Sequence, residues 1–280
     1  MKRLFLTGLT MFLVFFSLGS IVWFLFEAHY SQTQTTEKAY KSGNIERLNV
    51  DANNADVYIK KGQHFHVNYD GKAKINISKQ NETLQISDSQ ASRKRMLVVN
   101  PFNKSKERLE ITVPDKELNE LNITTRIGDL NISEIRSNRA NIWNEHMGEV
   151  KLSNCLFKET NIDSNETFLN INHSKLSNSE VIVKKGKITS NDTLIRQSVL
   201  KVNEGSMVLN NMKPECDFKG SVNHGDISMH YVKPPKDVML KLTPEKGNIN
   251  VNASHLHQGK NGKGTHLIEL YTNHGDININ

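Results

Sequence analysis

The sequence predicts an all-β protein, a parallel β-solenoid of roughly 19–20-residue coils that follows one N-terminal transmembrane helix. Three observations support this prediction: a glycine-containing signal that recurs at nearly constant spacing, alternation of apolar residues after each copy, and an apolar run near the N-terminus. A sandwich or barrel of hairpins also has short strands separated by turns, and it is the alternative. The regular spacing favours the solenoid, because hairpin sheets have no reason to keep it.

The clearest copies of the recurring signal are NHGDISM, which begins at Asn223, and NHGDINI, which begins at Asn273. Successive copies lie 20, 19, 19, 19, 20, 22 and 28 residues apart, and Thr167 stands in one copy where the others have glycine. Glycine adopts positive φ at no steric cost, and an adjacent Asp can hydrogen-bond a turn. We therefore expect structural turns at Gly128, Asp129, Gly148, Gly186, Gly205, Gly225, Asp226, Gly247, Gly275 and Asp276.

Apolar and polar residues alternate after each copy of the signal, as at Leu130 and Ile132. A period of two is typical of a strand with one buried face. One unit of about twenty residues cannot bury this face alone, so stacked units must share a narrow core. We expect Ile132, Leu152 and Ile171 to lie one above the next along a common axis.

An apolar run without charged residues extends from Leu4 to Phe26, directly after Lys2 and Arg3. About twenty such residues cross the hydrocarbon layer, and flanking basic residues favour the cytoplasmic side. We expect a single-pass protein of the cell membrane that contacts lipid through this helix, with the N-terminus in the cytoplasm and the C-terminal domain outside. A cleaved signal peptide is the alternative, and the length of the run favours an uncleaved anchor.

Four regions are expected along the chain. They are a cytoplasmic stub and anchor at 1–27, a polar spacer at 28–43, an N-terminal β region at 44–117 and the repetitive solenoid at 118–280. Basic residues concentrate within 89–108, where a solvated loop or attraction to an anionic wall polymer or lipid headgroup is expected. Without Lys2 and Arg3 the net charge falls from +6 to about +4, which is mild and does not indicate a nucleic-acid partner, and the outward topology argues against one.

Residues 109–132, LEITVPDKELNELNITTRIGDLNI, resemble the signature of a bacterial "putative adhesin" β-solenoid family. The arrangement of one membrane helix before an external domain is similar to LiaG-type members linked to envelope-stress operons. The resemblance covers residues 45–280 and implies an extracytoplasmic β-solenoid without established catalysis. The copy with Thr167 and the long final intervals depart from the family pattern.

Two insertions, at 231–237 and 252–266, lengthen the last intervals between copies. Insertions in repeats often map to a binding face, although surface decoration is the alternative. We expect these loops to engage cell-wall polymer or another envelope protein. Their candidate binding residues are Tyr231, Lys233, His255, His257, Lys260 and Lys263.

Neither a metal site, a cofactor nor a catalytic residue is predicted. The two NHGD copies supply His and Asp, which are metal ligands, but residues 246–248 (Lys-Gly-Asn) interrupt any column between them. Polysaccharide hydrolysis needs two nearby carboxylates, usually beside aromatic platforms, and aromatic content is only 7%. Trp143 and Phe157 are expected in the core or wall. A polysaccharide-active enzyme is therefore an alternative to a non-catalytic binding or structural role at the cell envelope.

Cys155 and Cys216 are expected to be free thiols, because three coils of about 4.8 Å separate them and a disulfide requires about 7 Å or less. The last coil ends at Asn280 with a strand and no evident cap. An open end exposes unpaired backbone groups. We expect either that the loop at 252–266 covers it or that it pairs with another chain, which would make a self-assembling scaffold.

Overall fold

The computed structural model describes residues 2–22, 34–40, 44–89, 107–253, 256 and 259–280. It has one helix, α1 (Lys2–Val22), followed by 21 strands. The prediction of a mostly β protein with an N-terminal apolar helix is confirmed. Within α1, Phe5–Val22 is long and apolar enough to cross a membrane, a property that signal sequences share.

The strands fall into three groups along the chain. The first comprises β1 Gln34–Tyr40, β2 Arg47–Ala52, β3 Asp56–Gly62, β4 Phe65–Gly71, β5 Lys74–Gln80, β6 Thr83–Ser89 and β7 Arg108–Pro114. The second comprises β8 Glu117–Ile127, β9 Leu130–Ser133, β10 Arg136–Ser153, β11 Leu156–Asn172, β12 Lys175–Ser177, β13 Ser179–Asn191 and β14 Leu194–Asn210. The third comprises β15 Asp217–His224, β16 Ile227–Met229, β17 Val238–Lys246, β18 Ile249–Val251, β19 Lys260–Asn261, β20 His266–His274 and β21 Ile277–Ile279.

From β8 to β16 the chain pairs in parallel with the stretch about 19 or 20 residues later. Leu152 is the register partner of both Ile132 and Ile171, so these three residues lie one above the next, as expected. All three are buried in one hydrophobic core. We number the layers coil 1 (117–133), coil 2 (136–153), coil 3 (156–172), coil 4 (175–191), coil 5 (194–210) and coil 6 (217–229).

The N-terminal strands continue this stack. β2 and β3 pair in parallel with β8 and β9, and on their other side they pair in parallel with β6 and β7. Antiparallel pairings of β5 with β6, β4 with β7 and β1 with β4 complete this end. The buried core also runs across the boundary expected at residue 117. The division into two β regions stays a prediction.

The prediction of a polar spacer at 28–43 is wrong for Gln34–Tyr40, because these residues form strand β1. The Lys38 ammonium group donates a 2.8 Å hydrogen bond to the Ile77 carbonyl, and Glu37 lies 2.7 Å from the His66 ring. The sequence of β1 shows no apolar alternation because this strand is mostly exposed and is held largely by backbone pairing to β4. Eleven residues therefore separate α1 from the first paired strand.

The two final layers are stacked out of chain order. β15 and β16 pair with β20 and β21, and β20 and β21 pair on their other side with β17 and β18. The expectation that the strand before Asn280 forms the open end is therefore wrong. The two most similar copies are neighbours instead, and the rings of His224 and His274 stack with centroids 4.8 Å apart.

Residues 238–251 form the outermost layer at this end. The loop expected to cover the end does so in part: β19 pairs with the start of β17, Leu240 N–H donates to the Gly259 carbonyl at 2.7 Å, and Leu256 is fully buried. Ile249 stays 46% exposed. Pro244 and two lysines lie in β17, and such residues oppose pairing with a further strand.

Candidate functional site

The glycines of the recurring signal stack at one bend, which we call the glycine bend. At Gly205 φ is +138°, and an added Cβ would lie 1.7 Å from the Gly186 carbonyl oxygen. Only glycine fits such a conformation at this spacing. Positive φ is likewise found at Gly128, Gly148, Gly186, Gly225, Gly247 and Gly275.

The Asp residues at this bend accept hydrogen bonds from the next layer. Asp129 Oδ1 accepts from Glu149 N–H at 2.9 Å, Asp226 Oδ1 from Asp276 N–H at 2.8 Å, and Asp276 Oδ1 from Asn248 N–H at 2.8 Å. The Gly-Asp pairs thus have a structural role that needs no metal ion. Within the described residues, no group of three or more His, Cys, Asp or Glu side chains could hold a metal ion.

The structure describes four of the six candidate loop residues. Tyr231 is only 6% exposed, and burial raises the pKa of its hydroxyl above the ordinary value. Its assignment to a binding loop is therefore wrong. Lys233, Lys260 and Lys263 are exposed. His255 and His257 lie outside the described residues, as do residues 90–106 of the basic region.

A polar groove of about 460 Å³ crosses the first coils, and its lining contains the carboxylates of Glu120 and Glu159. Glu120 lies 4.0 Å from guanidinium nitrogens of both Arg47 and Arg139, and Glu159 lies 3.5 Å from Arg139. Both carboxylates therefore have guanidinium partners on neighbouring layers, which gives them a structural role.

Four large apolar side chains are exposed near the glycine bend of coils 1–3, and we call them the apolar corner. Ile127 is 37% exposed, Trp143 46%, Met147 58% and Phe168 64%. Met147 is the register partner of Ile127, and Phe168 is the partner of Glu149, two residues after Met147. Outside α1, the other exposed large hydrophobic side chains in the described residues are Val232, Ile249 and Tyr271.

A buried polar chain lies beneath the apolar corner. Asn144 Nδ2 donates to Thr125 Oγ1 at 3.1 Å, and Thr167 Oγ1 donates to Asn144 Oδ1 at 2.8 Å. All three side chains are at most 2% exposed. These hydrogen bonds explain why Thr167 stands where other copies have glycine, because its hydroxyl donates a hydrogen bond to the buried Asn144 amide oxygen in the neighbouring coil. They also fix the backbone that carries Trp143 and Phe168.

Carboxylates lie beside three of the four apolar side chains. Trp143 is the register partner of Asp163, Met147 of Glu166 and Phe168 of Glu149. Residues 126–129, 143–149 and 163–168 together contain five carboxylates and one guanidinium, that of Arg126, which is paired with Asp51 at 2.6 Å and Glu145 at 3.1 Å. On coil 4, Lys185 and Lys187 are the register partners of Glu166 and Phe168. Carboxylates therefore outnumber cations five to three around the corner, although the whole chain has a net charge of +6.

A family model described as Toastrack DUF4097 matches residues 45–280. The chain belongs to the Toastrack DUF4097 family. The resemblance to a "putative adhesin" family that the sequence indicates is thereby confirmed. No curated protein matches the Toastrack chain.

Three solved structures are similar to this Toastrack chain. A "putative cell adhesion protein" from Clostridium sporogenes ATCC 15579 is 15% identical, with TM-score 0.29 and coverage of 89% of this chain and 99% of that one. A "putative adhesin" from Bacteroides fragilis NCTC 9343 is 14% identical, with TM-score 0.43 and coverage of 89% and 98%. A "putative lipid binding protein" from Parabacteroides distasonis ATCC 8503 is 11% identical, with TM-score 0.43 and coverage of 89% and 97%.

The apolar corner of the Toastrack domain was not predicted from the sequence. Phe157 is fully buried as expected, but Trp143 is exposed on the outer surface. A signal was available at the position of Met147, where later copies of the repeat carry Lys185 and Glu204. An apolar residue at an outward position that is otherwise charged indicates a surface with a role.

A second column of bends in the Toastrack domain also went unpredicted. Five non-glycine residues have φ between +49° and +57° and recur at intervals of 20, 19, 19 and 19 residues. Asn and Asp tolerate this conformation, so their recurrence was the available signal. The residues are Glu134, Asn154, His173, Asp192 and Asn211.

Both Toastrack cysteines are free and buried. Cys155 N–H donates to Ser174 Oγ, Ser174 N–H donates to Thr193 Oγ1, and Cys216 Sγ contacts the Thr193 carbonyl. The layers of Ser174 and Thr193 thus lie between the two cysteines. This agrees with the separation of three coil spacings predicted from the sequence. Burial raises the pKa of both thiols to about 11, so they are protonated and unreactive at neutral pH.

Proposed function

We propose that this chain is a membrane-anchored, extracytoplasmic binding protein of the bacterial cell envelope that acts without catalysis. The proposal rests on the exposure of the four large side chains of the apolar corner. Monomeric domains rarely keep neighbouring large apolar side chains in water, and such surfaces mark interaction sites. Within the part of the chain that the structure describes, Val232, Ile249 and Tyr271 are the other exposed large hydrophobic side chains outside α1, and they lie apart from the corner in the sequence.

The architecture behind the proposal is one parallel β-solenoid. The parallel pairing in register of β8 to β16, the parallel pairing of β2 and β3 with β8 and β9, and the single buried core support it. Side-chain amides add hydrogen bonds between layers: Asn191 donates to Asn172 at 2.8 Å and accepts from Asn210 at 3.0 Å. A stack of this kind presents rigid outer faces, which suits binding to an extended partner.

The proposed location rests on α1 and on its distance from the domain. Lys2 and Arg3 precede the apolar run, which favours an N-terminus in the cytoplasm. The eleven residues between α1 and β1 can span at most about 40 Å. The domain would therefore stay close to the outer face of the membrane, within reach of wall polymers and other anchored proteins.

Cysteine labelling in intact cells tests this location, because the native thiols are buried. We expect a membrane-impermeant maleimide to label a Glu204→Cys variant in intact cells and a Lys2→Cys variant only after lysis. Wild-type protein, which should stay unlabelled, is the control. Labelling of the two variants in the opposite order would refute the outward topology, and recovery of Glu204→Cys protein in the medium would show cleavage of the anchor.

Site-specific photocrosslinking tests the binding role. A photoreactive residue in place of Met147 should give adducts in the native membrane, whereas the same residue in place of Tyr271, which is 40% exposed and lies outside both insertions, should not. Equal adducts at both positions, or none at position 147, would contradict a binding role for the apolar corner. The exposed lysines Lys233, Lys260 and Lys263 remain proposed contacts for an anionic wall polymer.

A further inference from the structure

We propose that the apolar corner docks a polypeptide segment that carries apolar and basic side chains together. This inference rests on the proposed binding role and adds the chemistry of the partner. Three features of the corner lead to it: its residue types, the carboxylates beside them and the buried hydrogen bonds beneath them.

The residue types match those that dominate protein–protein contacts. Trp and Met are enriched at the centres of such interfaces, and a small cluster of large side chains commonly supplies most of the binding free energy. The corner offers Trp143, Met147, Phe168 and Ile127 on neighbouring strands, all more than one-third exposed. A purely hydrophilic polymer would leave these side chains without a complementary surface.

The charges at the corner indicate the sign of the charge that its partner carries. Each of Trp143, Met147 and Phe168 has a carboxylate as a register neighbour. Phe168 also has Lys187 as a neighbour on coil 4, and Arg126 is already paired with acids, so carboxylates remain in excess at the corner. Like charges across an interface cost free energy, so an anionic wall polymer or an anionic membrane surface is disfavoured here. Basic side chains beside an apolar core would face complementary charge.

The buried hydrogen bonds beneath the corner reduce the conformational entropy that is lost when a partner docks. The hydrogen-bonded chain from Thr125 through Asn144 to Thr167 is buried and spans three coils. The corner therefore keeps one shape with or without a partner, and preorganised surfaces lose less conformational entropy on binding.

The test uses the full chain in nanodiscs of zwitterionic lipid and the fluorescence of Trp143. Trp23 and Trp143 are the two tryptophans of the chain, so a Trp23→Phe background makes Trp143 the sole tryptophan reporter. The probes are three eight-residue peptides that alternate Leu with Lys, Leu with Glu and Ser with Lys. We expect a saturable blue shift with the Leu/Lys peptide alone, and weaker binding as salt is raised.

Two sets of variants decide the result. Met147→Ser with Phe168→Ser should weaken the Leu/Lys peptide at least tenfold, whereas the matched exposed change Val232→Ser should leave binding unchanged. Glu149→Lys with Glu166→Lys should reverse the preference towards the Leu/Glu peptide. All these side chains are exposed, so the stack should fold normally.

Four outcomes would overturn the proposal. They are the absence of a saturable response to the Leu/Lys peptide, equal binding of the Ser/Lys peptide, the same blue shift on adding anionic vesicles, and a concentration-dependent shift without peptide. The third would indicate docking on a membrane and the fourth a second copy of the chain. Failure of the labelling experiment in cells would instead contradict the proposed location, whatever the peptides do.

Discussion

Gly205→Ala tests the column of glycines at the bend. The new Cβ would lie 1.7 Å from the Gly186 carbonyl oxygen, and φ at this residue is +138°. The strained backbone costs about 1–3 kcal/mol and overpacking costs about 1–3 kcal/mol more. We therefore expect a loss of about 4 kcal/mol in the free energy of unfolding, which lowers the midpoint of thermal unfolding by about 8–16 °C.

Gly220→Ala is the matched control for this prediction. Its added Cβ would meet only side-chain atoms, Leu270 Cδ2 at 2.9 Å and Met207 Sδ at 3.1 Å, and its φ is not positive. Small shifts of those side chains relieve the crowding, and Ala lowers the conformational entropy of the unfolded chain, which favours the folded state, so the change should stay within about 1 kcal/mol. Circular dichroism during heating of both variants is the assay. Equal midpoints for the two variants would refute the reasoning.

Three further predictions concern the core and the order of layers. Asn191→Ala removes two amide hydrogen bonds between coils and should cost about 1–3 kcal/mol in urea unfolding; a change below about 0.3 kcal/mol would show that the amide ladder does not stabilise the stack. Ile277→Lys buries a charge between two layers and should prevent folding, whereas Ile249→Lys on the outermost layer should be tolerated, as size-exclusion chromatography of both would show. Because burial raises the pKa of Cys155 and Cys216, their contribution to stability is present below about pH 9 and is lost between about pH 9 and 11. A variant with both cysteines changed to Ala should lose less stability over that range, and an equal loss would exclude the thiols as the cause.

The spacing of glycines was enough to predict the middle of the fold. Each copy of the signal needs a tight bend, and the alternating residues after it need a partner layer, so the register of Ile132, Leu152 and Ile171 followed. The free thiols followed from the same spacing. These features depend on local backbone geometry and on burial, which a sequence records directly.

The order of layers at the ends could not be predicted in the same way. The layers that contain Ile227, Ile249 and Ile277 have nearly the same apolar pattern, so any order would bury their cores equally well. Polar residues before the glycine distinguish these layers, because Asn223 and His224 contact Asn273 and His274 in the two most similar copies. The similarity between two copies indicates which layers are neighbours, whereas the order of the copies along the chain does not.

β1 and the apolar corner were missed for opposite reasons. β1 is an exposed edge strand, so it buries too little to show a period of two. Trp143 and Met147 are apolar residues at outward positions, so a pattern-based prediction places Trp143 with the core. Distinguishing an exposed apolar residue from a buried one required the register of the neighbouring coils.

Disulfide mapping of the layer order tests the stack most directly. Ser228 and Asn278 are register partners in adjacent layers, whereas Asn250 lies one layer further, about 10 Å from Ser228. With a mild oxidant, the Ser228→Cys/Asn278→Cys variant should form a disulfide and the Ser228→Cys/Asn250→Cys variant should not. A disulfide in the second variant and none in the first would contradict the stack described here.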